Sequence, residues 1–155
     1  MSGGYWETVD PIWDKIGIGS VDEFLKTYGQ APRHAALLFA AHFCQSEICN
    51  GGFDQLFYNC TGVLAPEAVE GFRAIGQHKV AETVQTAMDM LGSPYPRDQG
   101  LRETILSRFS PRSFDALNEQ FYAFLDSEAG GFDAAADDYA ARNGRLAFPR
   151  NPSAG

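Results

Sequence analysis

The chain has 155 residues, of which 45% are hydrophobic and 13% aromatic, and its formal net charge is −8. This length and apolar content are typical of one packed domain and argue against a disordered chain. A surface with twenty acidic and twelve basic residues would repel nucleic-acid phosphates and anionic lipid, so we expect no direct nucleic-acid or membrane binding. A basic protein or a cation is the favoured partner.

Apolar spacing and capping residues predict helices throughout, and no stretch shows the alternation typical of a β-strand. In chain order the predicted helices cover about residues 5–16, 20–29, 32–49, 53–60, 66–75, 77–91, 99–109, 110–129 and 132–143. Pro11 either sits in the first turn of the first helix or splits it, and Ser20 caps the second in a capping box with Glu23. The third, which opens at Pro32, is apolar nearly all round and is therefore predicted to be central. Asp98 is predicted to cap the seventh.

These elements predict an all-α fold, a single compact domain of eight or nine short helices around a central apolar helix. We place the domain at residues 1–148 and predict a frayed C-terminal tail at 149–155. The three cysteines, Cys44, Cys49 and Cys60, follow no disulfide-framework spacing. No apolar run is long enough to span a membrane and no signal-peptide pattern is present, so we expect a cytoplasmic, bacterial-type protein with reduced thiols.

The sequence predicts no catalytic residues, no metal and no cofactor. His42, Cys44, Cys49 and Cys60 lack the spacing of a zinc knuckle, and positions 44 and 49 of one helix point about 140° apart. No nucleophile elbow, phosphate loop or dinucleotide fingerprint occurs.

The most distinctive stretch is a polar turn between two apolar segments. Glu47, Asn50, Gln55 and Asn59 lie on either side of a sharp turn at Gly51–Gly52. Buried amides must find partners, and backbone groups released at a helix break are available for them. Two interpretations stay open: a network of amides and a carboxylate that pins the turn, or a small polar pocket for a ligand or a partner side chain.

The same stretch carries a resemblance to a known family. The pattern E-x-x-N-G-G-F-x-Q-x-F-x-N-x-x-G is similar to the signature of a widespread bacterial family, long catalogued as a domain of unknown function, that includes a neisserial DNA-mimic protein. Its main positions here are Glu47, Asn50, Gly51, Gly52, Phe53, Gln55, Asn59 and Gly62. Segments 62–76, 95–98 and 114–125 extend the resemblance over about residues 5–145.

The resemblance implies an all-helical fold and brings with it no known enzymatic activity. In the DNA-mimic member it implies a homodimer whose acidic surface occupies the DNA-binding face of a transcription factor. The shared signature is not itself an acidic pattern, so mimicry in this chain depends on where its own acids lie.

Residues 113–141 contain seven acids and no base. The acids are Asp115, Glu119, Asp126, Glu128, Asp133, Asp137 and Asp138. The first three stand at i, i+4 and i+11, opposite a phenylalanine-rich stripe, with axial spacings of about 6 Å and 10.5 Å that are compatible with DNA phosphates. An ordinary solvated face is the competing interpretation. The preceding bases, Arg97, Arg102, Arg108 and Arg112, are expected to dilute a mimic.

We therefore predict a non-enzymatic interaction protein whose acidic surface binds a basic or DNA-binding protein. The alternative is a module that binds a small molecule or a peptide, or an uncharacterised enzyme, with its pocket at the Asn-Gly-Gly turn.

Overall fold

The computed structural model describes residues 4–147, with side chains described as far as residue 143. Within that range the protein is all-α and forms one compact domain without a strand, which confirms the predicted fold class. The α-helices are α1 Trp6–Val9, α2 Val21–Gln30, α3 Arg33–Tyr58, α4 Ala65–Ala74, α5 His78–Leu91, α6 Gln99–Leu106, α7 Asp115–Ser127 and α8 Phe132–Ala147. Three 3-10 helices lie at Asp10–Ile12, Cys60–Leu64 and Glu128–Gly130.

Helix α3 is the centre of the domain, as its apolar composition predicts. Every residue from His34 to Ala41 is buried, so both the inner and outer sides of this stretch are covered by other elements. Helices α1, α4, α6, α7 and α8 all contact α3. Its C-terminal half contributes Phe53 and Phe57 to an aromatic cluster with Phe114 and Phe121 of the α7 region. This cluster positions α7 against the glycine turn of α3.

Several helix boundaries differ from those predicted. Of the two alternatives for Pro11 the structure shows the second: it splits the first segment into α1 and a 3-10 helix, because proline cannot donate the backbone bond that a continuous helix needs there. Helix α2 passes Gly29 and ends at Gln30, since Ala31, which precedes a proline, is extended. Leu25, on the outer side of α2, is 47% exposed.

The boundaries of the last two long helices were also predicted wrongly. Helix α7 begins at Asp115 and not at Ser110, because residues 110–114 form successive turns in which the Ser110 hydroxyl accepts a bond from the Arg112 amide. Helix α8 continues through Gly144 to Ala147, and glycine inside a helix costs only about 1 kcal/mol relative to alanine. The predicted tail at 149–155 lies outside the described residues.

Two further properties follow from the fold. None of the helices in residues 4–147 combines the length and the hydropathy needed to cross a membrane. The three cysteines are free: Cys44 is buried, Cys49 is exposed and Cys60 is half-buried.

Candidate functional site

The glycine turn is a kink inside α3. Gly51 and Gly52 leave helical geometry, and Gly52 has φ 75° and ψ −174°, a combination open essentially to glycine alone. A Cβ at Gly52 would lie 2.7 Å from the Asn118 side-chain nitrogen. The predicted break after Asn50 is therefore present, with the two helical halves bent and not separated.

Helix α7 satisfies backbone groups that the kink releases. The Phe53 amide donates to Asn118 Oδ1 at 2.9 Å, and the Tyr122 hydroxyl donates to the Ile48 carbonyl oxygen at 2.9 Å. From the sequence, the side-chain amides of α3 near the turn were expected to form hydrogen bonds with these backbone groups. Two side chains from about 70 positions further along the chain do so instead, and they fasten α7 to the bend.

The side-chain amides of Gln55 and Asn59, in α3 and at its C-terminal end, lie against the carboxylate of Glu47. Its carboxylate accepts hydrogen bonds from Gln55 Nε2 and from Thr61 Oγ1, the latter at 2.8 Å, and Asn59 Nδ2 lies 3.4 Å and 3.5 Å from the two oxygens. The structure thus brings together three of the four predicted polar residues and adds Thr61. It leaves Asn50 exposed at the rim of an open depression of about 630 Å³. Glu47 and Gln55 are half-buried, so the network is neither sealed in the core nor free to bind.

A buried arginine beside the kink was missed by the sequence interpretation. Arg102 is fully buried and donates to the carbonyl oxygens of Phe57 and Asn59, both at 2.8 Å, and of Pro96 and Arg97. Its guanidinium forms no ion pair within the described residues, and burial lowers its pKa. No local pattern marks it, because every acceptor is a main-chain group that the fold brings in.

The segment 95–98 closes on the same region. Tyr95 donates its hydroxyl to the Gly62 carbonyl oxygen at 2.6 Å, and Arg97 forms a bidentate ion pair with Glu67 at 2.8 and 2.9 Å. Asp98 caps α6 through the Leu101 amide at 2.9 Å, as predicted. Arg97 and Arg102 are therefore used internally, whereas Arg108 and Arg112, the other two arginines expected to offset the acidic region, are exposed.

The residues considered for metal binding do not converge. Cys44 is buried in the core, where desolvation raises the pKa of its thiol, whereas Cys49 is exposed. His42 lies among Tyr5, Trp6 and Trp13, with its Nδ1 2.9 Å from the Tyr5 hydroxyl. Among the described residues no three histidine, cysteine or acidic side chains gather in a metal-binding arrangement.

Three predicted acids form a stripe along α7, next to the kink. Asp115, Glu119 and Asp126 are all exposed and lie on the side of α7 that also carries Tyr122. Burial, and then the negative charge of Asp115, raises the pKa of Asp54, which follows the kink on α3. We call Asp115, Glu119 and Asp126 the acidic face.

The other four predicted acids have different surroundings. Glu128 accepts bonds from the Lys79 and Val80 amides at 2.8–3.0 Å and so caps the N-terminus of α5. Asp137 accepts from the Tyr5 amide at 2.7 Å, and Asp138 pairs with Arg142 at 3.0 Å. Asp133 is exposed; burial and then the charge of Asp133 raise the pKa of Tyr5 to about 12. The seven acids therefore do not share one set of surroundings.

Comparison with known proteins identifies the family of this chain. The sequence model of the DMP19-like protein family matches residues 29–143, well over half of the chain, from the end of α2 into α8. Neither the curated proteins nor the solved structures include a significant match. The chain belongs to the DMP19-like protein family.

Proposed function

We propose that this protein is a non-enzymatic interaction protein whose acidic face occupies the DNA-binding surface of a basic protein. The observation that carries the proposal is the acidic face itself. Its three carboxylates are exposed on one rigid helix, and none of them forms an ion pair with a base in the described part of the chain. Membership of the DMP19-like protein family supports the same function, because the family that the chain resembles includes a member that mimics DNA.

The spacing of the acidic face suits a surface that ordinarily binds DNA. Along α7, Asp115 lies about 6 Å from Glu119, which lies about 10.5 Å from Asp126, at 1.5 Å per helical residue. These intervals are about two and three phosphate steps of one strand, at 3.4 Å per step. Helix α7 is fastened to the kinked α3 by Asn118 and Tyr122, so the carboxylates are held in place before a partner arrives.

A competition experiment tests the proposal. The immobilised chain is first exposed to a bacterial lysate at low salt. A captured protein that binds DNA is then purified, and a complex of this protein with labelled DNA is prepared. We expect the wild-type chain to displace the DNA. The triple variant Asp115→Asn, Glu119→Gln, Asp126→Asn should lose most of this displacement, because it removes three of the charges that stand in for phosphates.

The matched control removes the same charge elsewhere. Asp14→Asn, Asp22→Asn, Glu103→Gln alters three exposed acids on other elements and should displace DNA as well as the wild type. Equal loss in both triple variants would attribute the effect to net charge and reject the acidic face. Retained displacement in the α7 variant would reject it as well. We also propose that the chain forms a homodimer, as the resemblance implies for the DNA-mimic member, and size-exclusion chromatography of the same samples tests it.

The alternative of a ligand pocket at the Asn-Gly-Gly turn has less support from the contacts. Glu47 binds three side chains of its own chain, and the backbone groups of the kink are bound by α7. We propose that Glu47, Gln55 and Asn59 stabilise the bend that presents α7.

A further inference from the structure

A second depression lies on the other side of Gln55, between the C-terminal half of α3 and the end of α6. It has a volume of about 480 Å³ and is lined by Gly51, Asp54, Gln55, Tyr58, Asn59 and Leu106. We call it the kink groove. Tyr58 is 59% exposed, which leaves most of its ring available for contact along one wall.

The carboxylate in the kink groove has no partner in the described part of the protein. Asp54 is half-buried, yet it forms no hydrogen bond and no ion pair with any described residue. Burial, and then the charge of Asp115, which is also negative, raises the pKa of Asp54. A partly desolvated, unpaired charge is unfavourable in the free protein, and a cation from outside would relieve that cost.

Asp54 and Tyr58, both on the α3 side of the groove, together favour one kind of cation. A lysine presents a compact ammonium that is strongly hydrated, whereas an arginine presents a flat guanidinium that stacks on aromatic faces and binds a carboxylate with two parallel bonds. Asp54 and Tyr58 lie four positions apart on one helix and so share a side of it. Their combination of one carboxylate and one exposed ring matches both binding properties of arginine.

We propose that the kink groove receives an arginine side chain of the partner, with the guanidinium paired to Asp54 and stacked on Tyr58. This inference rests on the proposed function for the origin of the arginine, and it assigns a separate task to each surface. The acidic face attracts the basic surface of the partner, and the groove selects one residue of it. Asp115, close to Asp54, joins the two surfaces.

The groove can be tested without the partner. The ¹⁵N-labelled chain is titrated with acetyl-Gly-Arg-Gly-amide and, separately, with acetyl-Gly-Lys-Gly-amide, and amide chemical shifts are recorded. We expect the arginine peptide to shift residues 51–59 and to bind about tenfold more tightly than the lysine peptide, as a bidentate charged pair with stacking allows. Equal affinities, or shifts located elsewhere, would overturn the assignment.

Variants show which groups bind the arginine peptide. Asp54→Asn and Tyr58→Ala should each weaken its binding by about tenfold. Both residues tolerate change, because Asp54 has no internal partner and the Tyr58 side chain is largely exposed; the bond from Gln99 reaches only its carbonyl oxygen. Asp14→Asn, which makes the same charge change at an exposed site, should leave binding unaltered. Unaltered binding in Asp54→Asn or in Tyr58→Ala would overturn the proposal.

The outcome also separates this inference from the proposed function. A partner that needs the acidic face but binds Asp54→Asn and Tyr58→Ala like the wild type would overturn the groove and leave the proposed function intact. Selective binding of the arginine peptide, together with failure of the α7 triple variant to alter DNA displacement, would support the groove and reject the acidic face.

Discussion

Gly52 determines the direction in which α3 bends. Its φ of 75° with ψ of −174° is strained for any residue with a side chain, and Asn118 lies where a Cβ would be. We expect Gly52→Ala to lower the free energy of unfolding by about 2–4 kcal/mol, from backbone strain of about 1–3 kcal/mol plus the displacement of Asn118. Urea unfolding followed by circular dichroism measures the change.

The control for Gly52 is another helical glycine. Gly29 lies in α2 and is exposed, and a Cβ added there would meet no atom within 4 Å beyond its own helix. Gly29→Ala should be neutral or stabilising by up to about 1 kcal/mol, because alanine has the higher helix propensity. Similar destabilisation in the two variants would show that the kink geometry is not the cause.

Asp54 gives a pH-dependent prediction whose sign follows from its raised pKa. The carboxyl group of Asp54 stays protonated up to a higher pH in the folded state than in the unfolded state, because burial and the charge of Asp115 disfavour its ionised form. The wild type therefore loses stability as pH rises above the unfolded value of about 3.9, until Asp54 is ionised in both states. Asp54→Asn should be more stable than the wild type at pH 7, and the difference should vanish near pH 3. Thermal unfolding across this range measures it; a stabilisation that grows in acid would contradict the assignment.

At the scale of single residues, the sequence predicts what local chemistry controls. Ser20 and Asp98 cap their helices as expected, since a cap binds an amide three positions away. Gly51 and Gly52 mark the bend for a similar local reason. Thr61, Arg102 and Glu128 could not be assigned, because their roles depend on distant partners: Glu47 lies 14 positions from Thr61, Phe57 lies 45 from Arg102 and Lys79 lies 49 from Glu128.

Among the elements, Arg102 of α6 is the main link to the end of α3. Its guanidinium donates hydrogen bonds to the carbonyl oxygens of Phe57 and Asn59 at the end of α3. A Cβ at Gly62 would lie 2.7 Å from the Arg102 Nε. Arg102→Lys should lower the free energy of unfolding by about 2–4 kcal/mol, because a lysine cannot serve all of these buried acceptors. Arg108→Lys, at an exposed position, is the control and should change stability little. A small effect at both positions would show that the main-chain acceptors find water instead.

Glu128 connects the end of α7 to the start of α5. Its carboxylate receives two backbone amides there, so Glu128→Ala should cost about 1–2 kcal/mol of stability, as loss of a helix cap does. Partner binding measured on the folded variant should be unchanged, because this carboxylate faces α5. Glu82→Ala, on the exposed side of α5, provides the comparison. A variant of normal stability that binds its partner weakly would place Glu128 in the interaction surface.

The order and type of the helices were predictable because each helix has its own apolar periodicity and its own capping or helix-breaking residues. The predicted starts and ends of helices were wrong where tertiary contacts determine the boundary. Ser110–Pro111 has the local pattern of a helix start, yet the chain turns until Phe114 has entered the core and α7 begins after it. Gly144 has the pattern of a helix end, yet α8 continues past it. A local signal sets where a helix can stop, and packing sets where it does.

For the whole molecule, the fold changes how the charge count should be interpreted. The net charge is −8, but two of the arginines expected to offset the acidic region are used inside the structure. The Arg97–Glu67 pair cancels one base against one acid, whereas buried Arg102 bonds only carbonyl oxygens and keeps its charge. Composition predicts the sign of the surface, whereas the location of the unpaired charge requires the coordinates.

The two proposed surfaces should affect different rate constants of association with the captured partner. Long-range attraction by the acidic face acts before contact, so the α7 triple variant should lower the association rate constant by about tenfold and reduce its dependence on salt. Contacts in the kink groove form after docking, so Asp54→Asn and Tyr58→Ala should mainly raise the dissociation rate constant. Stopped-flow measurements at about 50 and 200 mM salt separate the two effects. An association rate that is insensitive both to salt and to the α7 charges would mean that recognition does not begin with the negative face of this helix.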